Sequence, residues 1–307
     1  MSKLYLWGLL FVIVVSGVGC GATNSSTHSY FSPTWTLDGK VLLISSLQSS
    51  SKDALGTQVS SSYSEYVLTM YPSGTGESTQ LFDATAARPY AMTCSPTGAY
   101  VAYGDTLRSG YYRTIVIRNI STEAHQGMDR IDLVFTTGVR SFDWSANGTK
   151  IVYCTSTEVH TRDWNDYTGT TDLAVVTVEA GATLESVSWR YGGRIAFVRS
   201  SGTDKLLSMI YSDGSGRVNL SAALSVELPQ ISAVSTSEVY GIKSGTLVRV
   251  NVDAGTATTV VTSGFTGELP RLAPDGKQLI YSKTGETSGI YLISDVTSSS
   301  PTETKVK

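Results

Sequence analysis

Six copies of one short pattern recur along this chain, and they constrain its fold more than any other feature. Each copy has a bulky or apolar residue, a tight turn and an apolar strand, as in LAPDGKQLIYS. A repeat spacing in the 40s is typical of propeller blades. The copies begin 41 to 59 residues apart, at Trp35, Cys94, Trp144, Trp189, Ile231 and Leu272. Glycines expected to supply the positive φ of the tight turns are Gly39, Gly98, Gly148, Gly193 and Gly276.

A second strand–turn–strand module follows each copy, for example KLLSMIYSDGSGRVNLS from Lys205. Each repeat therefore holds four strands, and a four-stranded sheet buries both faces only when further sheets pack on it. The composition agrees, since 41% of the residues are apolar and only 16% are charged. We predict an all-β fold, a six-bladed β-propeller of four-stranded antiparallel blades. The blades are expected to start near residues 31, 90, 140, 185, 227 and 268.

The ends of the chain leave two ways of closing this ring. The chain enters on the inner strand of the first blade, and the terminal PTETKVK can form the outer strand of the last. We therefore predict closure by blade-on-blade packing, and the rival is pairing of residues 23–30 with blade six. Trp35, Trp144 and Trp189 share one register and are expected to lie between sheets.

The N-terminus has the pattern of a targeting segment. Lys3 precedes an uncharged run of 16 residues from Leu4 to Gly19, which as a helix would span about 24 Å, short of a bilayer core. The ending GVGC resembles the bacterial lipoprotein signal, in which the cysteine is lipidated. The resemblance implies a signal peptide at 1–19, lipidation of Cys20 and an outer-membrane or periplasmic location, with the cell surface as a further option. Ordinary cleavage, giving a soluble exported protein, is the alternative. Residues 20–29 are predicted to be a tether and 30–307 the propeller.

The turn motifs resemble the TolB-type, WD40-like propeller repeats, whose signature is a WSPDGK hairpin followed by an apolar strand. The resemblance covers about residues 30 to 306 and implies an exported, envelope-located binding platform. The residues that carry it are Trp35, Asp38, Gly39, Lys40, Ser95, Pro96, Gly98, Trp144, Ser145, Gly148, Trp189, Ile195, Ala196, Phe197 and Pro274 to Lys277.

Three connections between second and third strands are predicted to be long loops on one face, namely residues 46–64, 105–113 and 155–171. Exposed aromatic residues beside arginine are typical of protein-binding hot spots. The alternative is that these polar loops bind nothing. The candidate partner-binding residues are Tyr111, Tyr112, Arg113, Asp163, Trp164, Asn165 and Asp166.

A second candidate region is one mouth of the central channel. Positions four residues before the Trp-equivalent residue hold Phe31 and then Tyr90, Arg140, Glu185, Glu227 and Glu268. Three consecutive glutamates would attract a basic group or a cation. A solvated polar rim explains the same residues and is the interpretation that we favour.

The sequence carries no catalytic motif, so we expect a binding scaffold and no cofactor. The alternatives are a metal-centred propeller hydrolase built on the three glutamates, and a structural subunit of a surface assembly. With a net charge of −3 and no basic run, no nucleic-acid partner is expected. We expect a monomer that meets an unidentified envelope protein and touches the membrane only through its lipid. Cys94 and Cys154 are predicted to be buried thiols, and the histidines His28, His125 and His160 to lie in surface loops.

Overall fold

The computed structural model confirms the predicted six-bladed β-propeller. It describes residues 23–53, 55–73, 78–83, 90–105, 112–120, 130–166, 168–189, 193–220, 227–233, 238–243, 245–261, 267–283, 288–298 and 300–307. These residues form six antiparallel sheets of four strands, and each sheet uses four strands that are consecutive in the chain.

The second strands of blades one to three each contain a continuous buried run of at least four residues. Blade one holds β1 (Thr23–Trp35), β2 (Val41–Lys52), β3 (Gln58–Met70) and β4 (Thr79–Asp83). Blade two holds β5 (Tyr90–Cys94), β6 (Tyr100–Asp105), β7 (Tyr112–Asn119) and β8 (Arg130–Val139). Blade three holds β9 (Ser141–Trp144), β10 (Lys150–Cys154), β11 (Glu158–Asp163) and β12 (Leu173–Thr177).

Blades four to six repeat the same order. Blade four holds β13 (Ala182–Ser188), β14 (Arg194–Ser201), β15 (Asp204–Tyr211) and β16 (Val218–Asn219). Blade five holds β17 (Glu227–Ala233), β18 (Glu238–Lys243), β19 (Thr246–Asn251) and β20 (Thr256–Val261). Blade six holds β21 (Gly267–Leu272), β22 (Leu279–Lys283), β23 (Gly289–Ser294) and β24 (Thr302–Lys305).

The inner hairpin turns have the predicted backbone in four of the six blades. Gly39, Gly98, Gly148 and Gly276 have φ between 70° and 76°. In blade two, for example, the Gly98 amide donates to the Ser95 carbonyl at 2.9 Å. The prediction for Gly193 is wrong, since this glycine is outside the left-handed region. Its turn has lost one residue, so the glycine no longer falls at the position that needs positive φ.

The core lies between neighbouring blades. The recurring tryptophans Trp35, Trp144 and Trp189 are 1%, 0% and 7% exposed and pack between sheets as predicted. Two of them also link blades, because the Trp35 indole donates to the Arg271 carbonyl at 2.9 Å and that of Trp144 to the Thr93 carbonyl at 3.2 Å. A large apolar area is thereby buried while the indole N–H stays satisfied.

The ring closes by packing, as predicted. Trp35, Val41 and Leu43 of blade one share an apolar cluster with Ile280 and Ile290 of blade six. The rival is wrong, because residues 23–30 pair with β2 in blade one. Residues 302–305 form the outer strand of blade six. Cys94 and Cys154 are free, buried thiols, and burial raises the pKa of Cys154 to about 12.

Blade one departs from the others in the length of its strands. β1, β2 and β3 have 12 or 13 residues, whereas the other five innermost strands have four to seven. The extra residues form a three-stranded extension, here called the arm, which comprises residues 23–30, 46–53 and 55–64. Residues 46–53 and 55–64, predicted as one long loop, thus lie mostly in the paired strands β2 and β3. Residues 23–29, assigned above to the tether, lie in β1.

Candidate functional site

The propeller has two unlike faces. The arm face carries the arm, the connections between second and third strands and those between blades. The turn face carries the inner hairpin turns and the connections between third and fourth strands. Because the strands of each blade are antiparallel, every connection can be assigned to one of these faces from the strand order.

The predicted binding residues of blade three lie on the turn face, which corrects the sequence interpretation. Residues 158–163 are strand β11, and residues 155–157 form a tight turn in which the Thr155 amide donates to the Glu158 carbonyl at 2.9 Å. The long connection is therefore the next one, from β11 to β12. Tyr112 and Arg113 begin β7 at the arm face, and their side chains, like all of Tyr111, lie outside the described residues. The two candidate groups cannot form one surface.

Asp166 organises the β11–β12 connection. Its carboxylate accepts hydrogen bonds from the Thr168 hydroxyl at 2.6 Å and the Thr171 amide at 2.7 Å. These bonds hold the pKa of Asp166 well below its ordinary value. Asp163 forms an ion pair with Lys150 at 2.5 Å. Asp166 therefore holds the loop together, Asp163 pairs with the neighbouring strand β10, and Asn165 is exposed.

Trp164 is half-buried and does not project from the loop. Its ring lies 4.5 Å from that of Tyr100 in blade two and 6.4 Å from that of Trp144, centroid to centroid. The Trp164 side chain thus joins the apolar cluster between blades two and three, and its outer edge contributes to the turn face.

The turn face carries exposed apolar and aromatic side chains in blade one and half-buried aromatic side chains in blades two and three. Leu37 is 59% exposed and Tyr71 is 54% exposed. The Lys40 ammonium lies 5.9 Å from the centre of the Tyr71 ring. Together with the half-buried Tyr100 and Trp164, these residues form what we call the turn-face stripe. Of these residues, sequence reasoning singled out only Trp164 as a binding candidate, because the members lie in four separate stretches of the chain.

At the channel mouth, the described side chains are those of Phe31, which packs against the apolar cluster between blades one and two, and of Arg140 and Glu185. The Arg140 guanidinium donates to the Leu184 carbonyl at 3.0 Å. Glu185 forms an ion pair with Lys205 at 2.6 Å and accepts a bond from the Ser200 hydroxyl at 2.5 Å. Burial alone would raise the pKa of Glu185, but these partners hold it below its ordinary value.

The remaining candidates of the mouth are placed only by their backbone. Tyr90, Glu227 and Glu268 lie at or near the starts of β5, β17 and β21, where they pair with the second strand of their own blade. Their side chains are outside the described residues. The ion pair of Glu185 lies within its own blade, which agrees with the polar-rim interpretation of that residue.

Deeper in the ring, a buried carboxylate joins blades two, three and four. Asp143 is 1% exposed and accepts bonds from the Thr93 hydroxyl at 3.0 Å, the Ser188 hydroxyl at 2.7 Å and two backbone amides. Its oxygens are engaged by protein donors, which suits a structural hub better than a metal ligand. Within the part of the chain that the structure describes, no cluster of His, Cys, Asp and Glu could hold a metal ion.

Two histidines lie in strands and not in the predicted surface loops, while His125 is outside the described residues. In β11, His160 contacts Asp172 at 2.9 Å and Glu158 at 3.2 Å and stacks on Tyr153. Burial alone would lower the pKa of His160, but the two carboxylates raise it. In β1, His28 contacts the Ser45 hydroxyl at 2.6 Å, and burial together with Lys307 lowers its pKa.

The arm is mostly Ser, Thr, Asn and Gln, and its strands face solvent on both sides. Hydroxyl pairs cross between strands, such as Ser25 with Ser50 at 2.8 Å and Ser51 with Ser60 at 2.5 Å. At the far end, Asp53 accepts bonds from the amides of Leu55 and Thr57, and Leu55 is 92% exposed. Among the described residues, no helix has the length and apolarity needed to cross a bilayer.

No protein-family model and no curated protein matches this sequence. Solved structures do resemble it in fold. A chain of the nidogen/laminin complex is 10% identical with a TM-score of 0.56, and the match covers 92% of this chain and 94% of that one. TolB from Acinetobacter baumannii is 10% identical with a TM-score of 0.54, covering 88% of this chain and 77% of TolB.

An enzyme shares the same fold over part of its length. A puromycin hydrolase mutant bound to PGG is 16% identical with a TM-score of 0.51, and the match covers 88% of this chain but only 44% of the hydrolase. At these identities the likeness concerns architecture alone. This chain is a six-bladed β-propeller with the fold that TolB proteins share.

Proposed function

We propose that this chain is an exported, lipid-anchored propeller that binds a partner protein in the cell envelope without catalysing a reaction. The turn-face stripe is the observation that carries the binding part. Aromatic side chains are enriched at protein-binding surfaces, and here Tyr71, Tyr100 and Trp164 lie together with the exposed Leu37 on a packed β-sheet scaffold. The signal-like N-terminus with Cys20 supports the export and the anchor.

The buried ring around Asp143 argues for a scaffold over a hydrolase. A catalytic carboxylate or metal ligand needs a free oxygen facing substrate or solvent. The carboxylate oxygens of Asp143 instead accept hydrogen bonds from Thr93, Ser188 and two backbone amides. We expect neither Ca²⁺ nor a chelator to change the melting temperature, and a rise of several degrees with Ca²⁺ would favour the metal-centred alternative.

Photo-crosslinking in cells tests the binding surface. A photoreactive phenylalanine replaces Tyr71, and the same probe placed at Val134 serves as the control. Val134 is 68% exposed on the outer strand β8 of blade two, away from the stripe. We expect one dominant adduct from position 71 that Leu37→Ser weakens and that Val59→Ser, an equally exposed site in the arm on the opposite face, leaves unchanged. Equal adducts from positions 71 and 134 would contradict the proposal.

Fractionation tests the anchor separately. Wild type should be in the membrane fraction, and Cys20→Ser should release the chain in soluble form or leave the precursor unprocessed. A wild-type chain that is soluble after cell lysis would remove the lipid anchor from the proposal and leave the binding surface in place.

A further inference from the structure

We propose that the arm of blade one is a membrane-contact stalk whose tip rests on the lipid surface and points the turn face away from it. The tip comprises Lys52, Asp53 and residues 55–57. The inference rests on the anchoring part of the proposed function, and it adds an orientation, a contact site and the kind of surface that the site meets.

The position of the first described residue forces the tip toward the anchor. Thr23 pairs with Lys52 at the far end of the arm. Cys20 precedes Thr23 by three residues, which can span at most about 11 Å. The polar region of one leaflet is roughly 5–8 Å thick. A lipid on Cys20 therefore brings the arm tip to the membrane surface.

The tip has the chemistry of a lipid contact. Leu55 is 92% exposed, the most exposed of the large apolar side chains that the structure describes, and Val59 beside it is 59% exposed. The turn that presents Leu55 is rigid, because Asp53 accepts bonds from the Leu55 and Thr57 amides at 2.9 and 2.8 Å. An exposed apolar side chain on a hydrogen-bonded turn suits insertion among lipid headgroups.

The low charge of the arm suits a position close to a charged membrane. The described residues of the whole arm carry only two full charges, on Lys52 and Asp53 at the tip, and these cancel. His28 at its base has a lowered pKa and is neutral at pH 7. An anionic lipid surface therefore neither repels nor strongly attracts the arm. About seven residues of β2 beyond Ser45 give it a length of roughly 23 Å.

This orientation connects the arm to the turn-face stripe. The arm and the stripe lie on opposite faces of one rigid ring, so a tip on the membrane directs Leu37 and Tyr71 toward the aqueous side. A protein partner of the stripe would then approach from the aqueous compartment. The competing interpretation is that a protein pocket binds Leu55. The short distance in sequence between Cys20 and Thr23 favours the membrane over this alternative.

Depth-dependent quenching tests the stalk with the mature chain from Cys20 onward. Cys20 is coupled to a maleimide lipid in phosphatidylcholine–phosphatidylglycerol vesicles, which is selective because Cys94 and Cys154 are buried. An azidophenylalanine carries a fluorophore at position 55 or, as the matched control on the turn face, at position 71. Brominated lipids then quench whichever fluorophore reaches the bilayer.

We expect loss of fluorescence at position 55 and none at position 71. Quenching at 71 would overturn the orientation, and quenching at neither position would overturn the tip contact and favour a protein occupant. A third fluorophore, at position 50, reports on the tip variants. Leu55→Asp should reduce the quenching at position 50 because the tip moves away from the bilayer, and Leu173→Asp should leave that quenching unchanged. The lipid is attached in vitro, so this test does not depend on whether Cys20 is lipidated in cells. Lipidation in cells is tested only by the fractionation of wild type and Cys20→Ser.

Discussion

The arm and the body of blade one are made from the same three strands, yet they are held together by different forces. In β2, residues 41–44 are fully buried and pack against blades two and six. A few residues further on, residues 47–51 pair in the same register but are partly or fully exposed, and the register shifts at Lys52. The body is stabilised by apolar burial, and the arm by strand pairing and exposed hydroxyl contacts. One strand can thus belong to a rigid core and to a projecting appendage.

The largest difference in stability between the two regions should come from two carboxylates that both accept hydrogen bonds from backbone amides. Asp143→Ala leaves two buried hydroxyls and two buried amides without their acceptor, so we expect a loss of about 4 kcal/mol in the free energy of unfolding. Asp53→Ala at the arm tip exposes its amides to water and should cost about 1 kcal/mol. Urea denaturation measures both. Equal losses would mean that the arm is as tightly integrated as the ring.

Two glycines with the same backbone angle give the next largest contrast. Gly98 has φ 72°, and a Cβ there would lie 2.8 Å from the Leu37 Cβ. Gly56 in the arm has φ 81° with open space around it. Both alanine variants lose about 1 kcal/mol to the left-handed backbone. Gly98→Ala should lose roughly 1–3 kcal/mol more from the clash. Thermal melts that show equal shifts would contradict the inter-blade contact at Leu37.

A region could be predicted from the sequence where the residues that determine its structure lie close together in the chain. The inner hairpins were predictable, because the glycine, the bulky residue and the apolar strand lie within eleven residues of each other. The arm was not, because SSLQSSSK lacks apolar alternation and Ser has little strand propensity. Its pairing continues a register that the buried part of β2 sets. The same limit applies to β11, where only Val159 and Thr161 signal a strand in a polar stretch, and to Glu185, whose partner Lys205 depends on strand register.

Two histidines should give the two regions opposite pH dependences of stability. The raised pKa of His160 means that its stabilising contribution is fully present below the ordinary pKa near 6.5 and is lost as the pH rises through the raised value. The lowered pKa of His28 has the opposite effect, since stability is lost as the pH falls from 6.5 toward the folded value. We expect effects of about 1–2 kcal/mol for His160, which contacts two carboxylates.

Melting temperatures between pH 5 and pH 8.5 check this for wild type and two variants. The advantage of wild type over His160→Gln should grow as the pH falls, whereas its advantage over His28→Gln should shrink. Parallel profiles for the two variants would show that one of these histidines does not have the partners described for it.

The smallest contrast concerns two serines with the same chemistry. Ser208 in β15 is fully buried and donates to the Asn219 side chain at 2.7 Å, so Ser208→Ala should cost about 1 kcal/mol. Ser50 in the arm pairs with the Ser25 hydroxyl at a similar distance of 2.8 Å, but water can replace either partner. Ser50→Ala should therefore change stability by less than about 0.5 kcal/mol. A clear loss at Ser50 in a melt would mean that the hydroxyl ladder stiffens the arm cooperatively, as a stalk that fixes the orientation of a propeller would require. A neutral result would leave that stiffness to the backbone pairing of β1, β2 and β3.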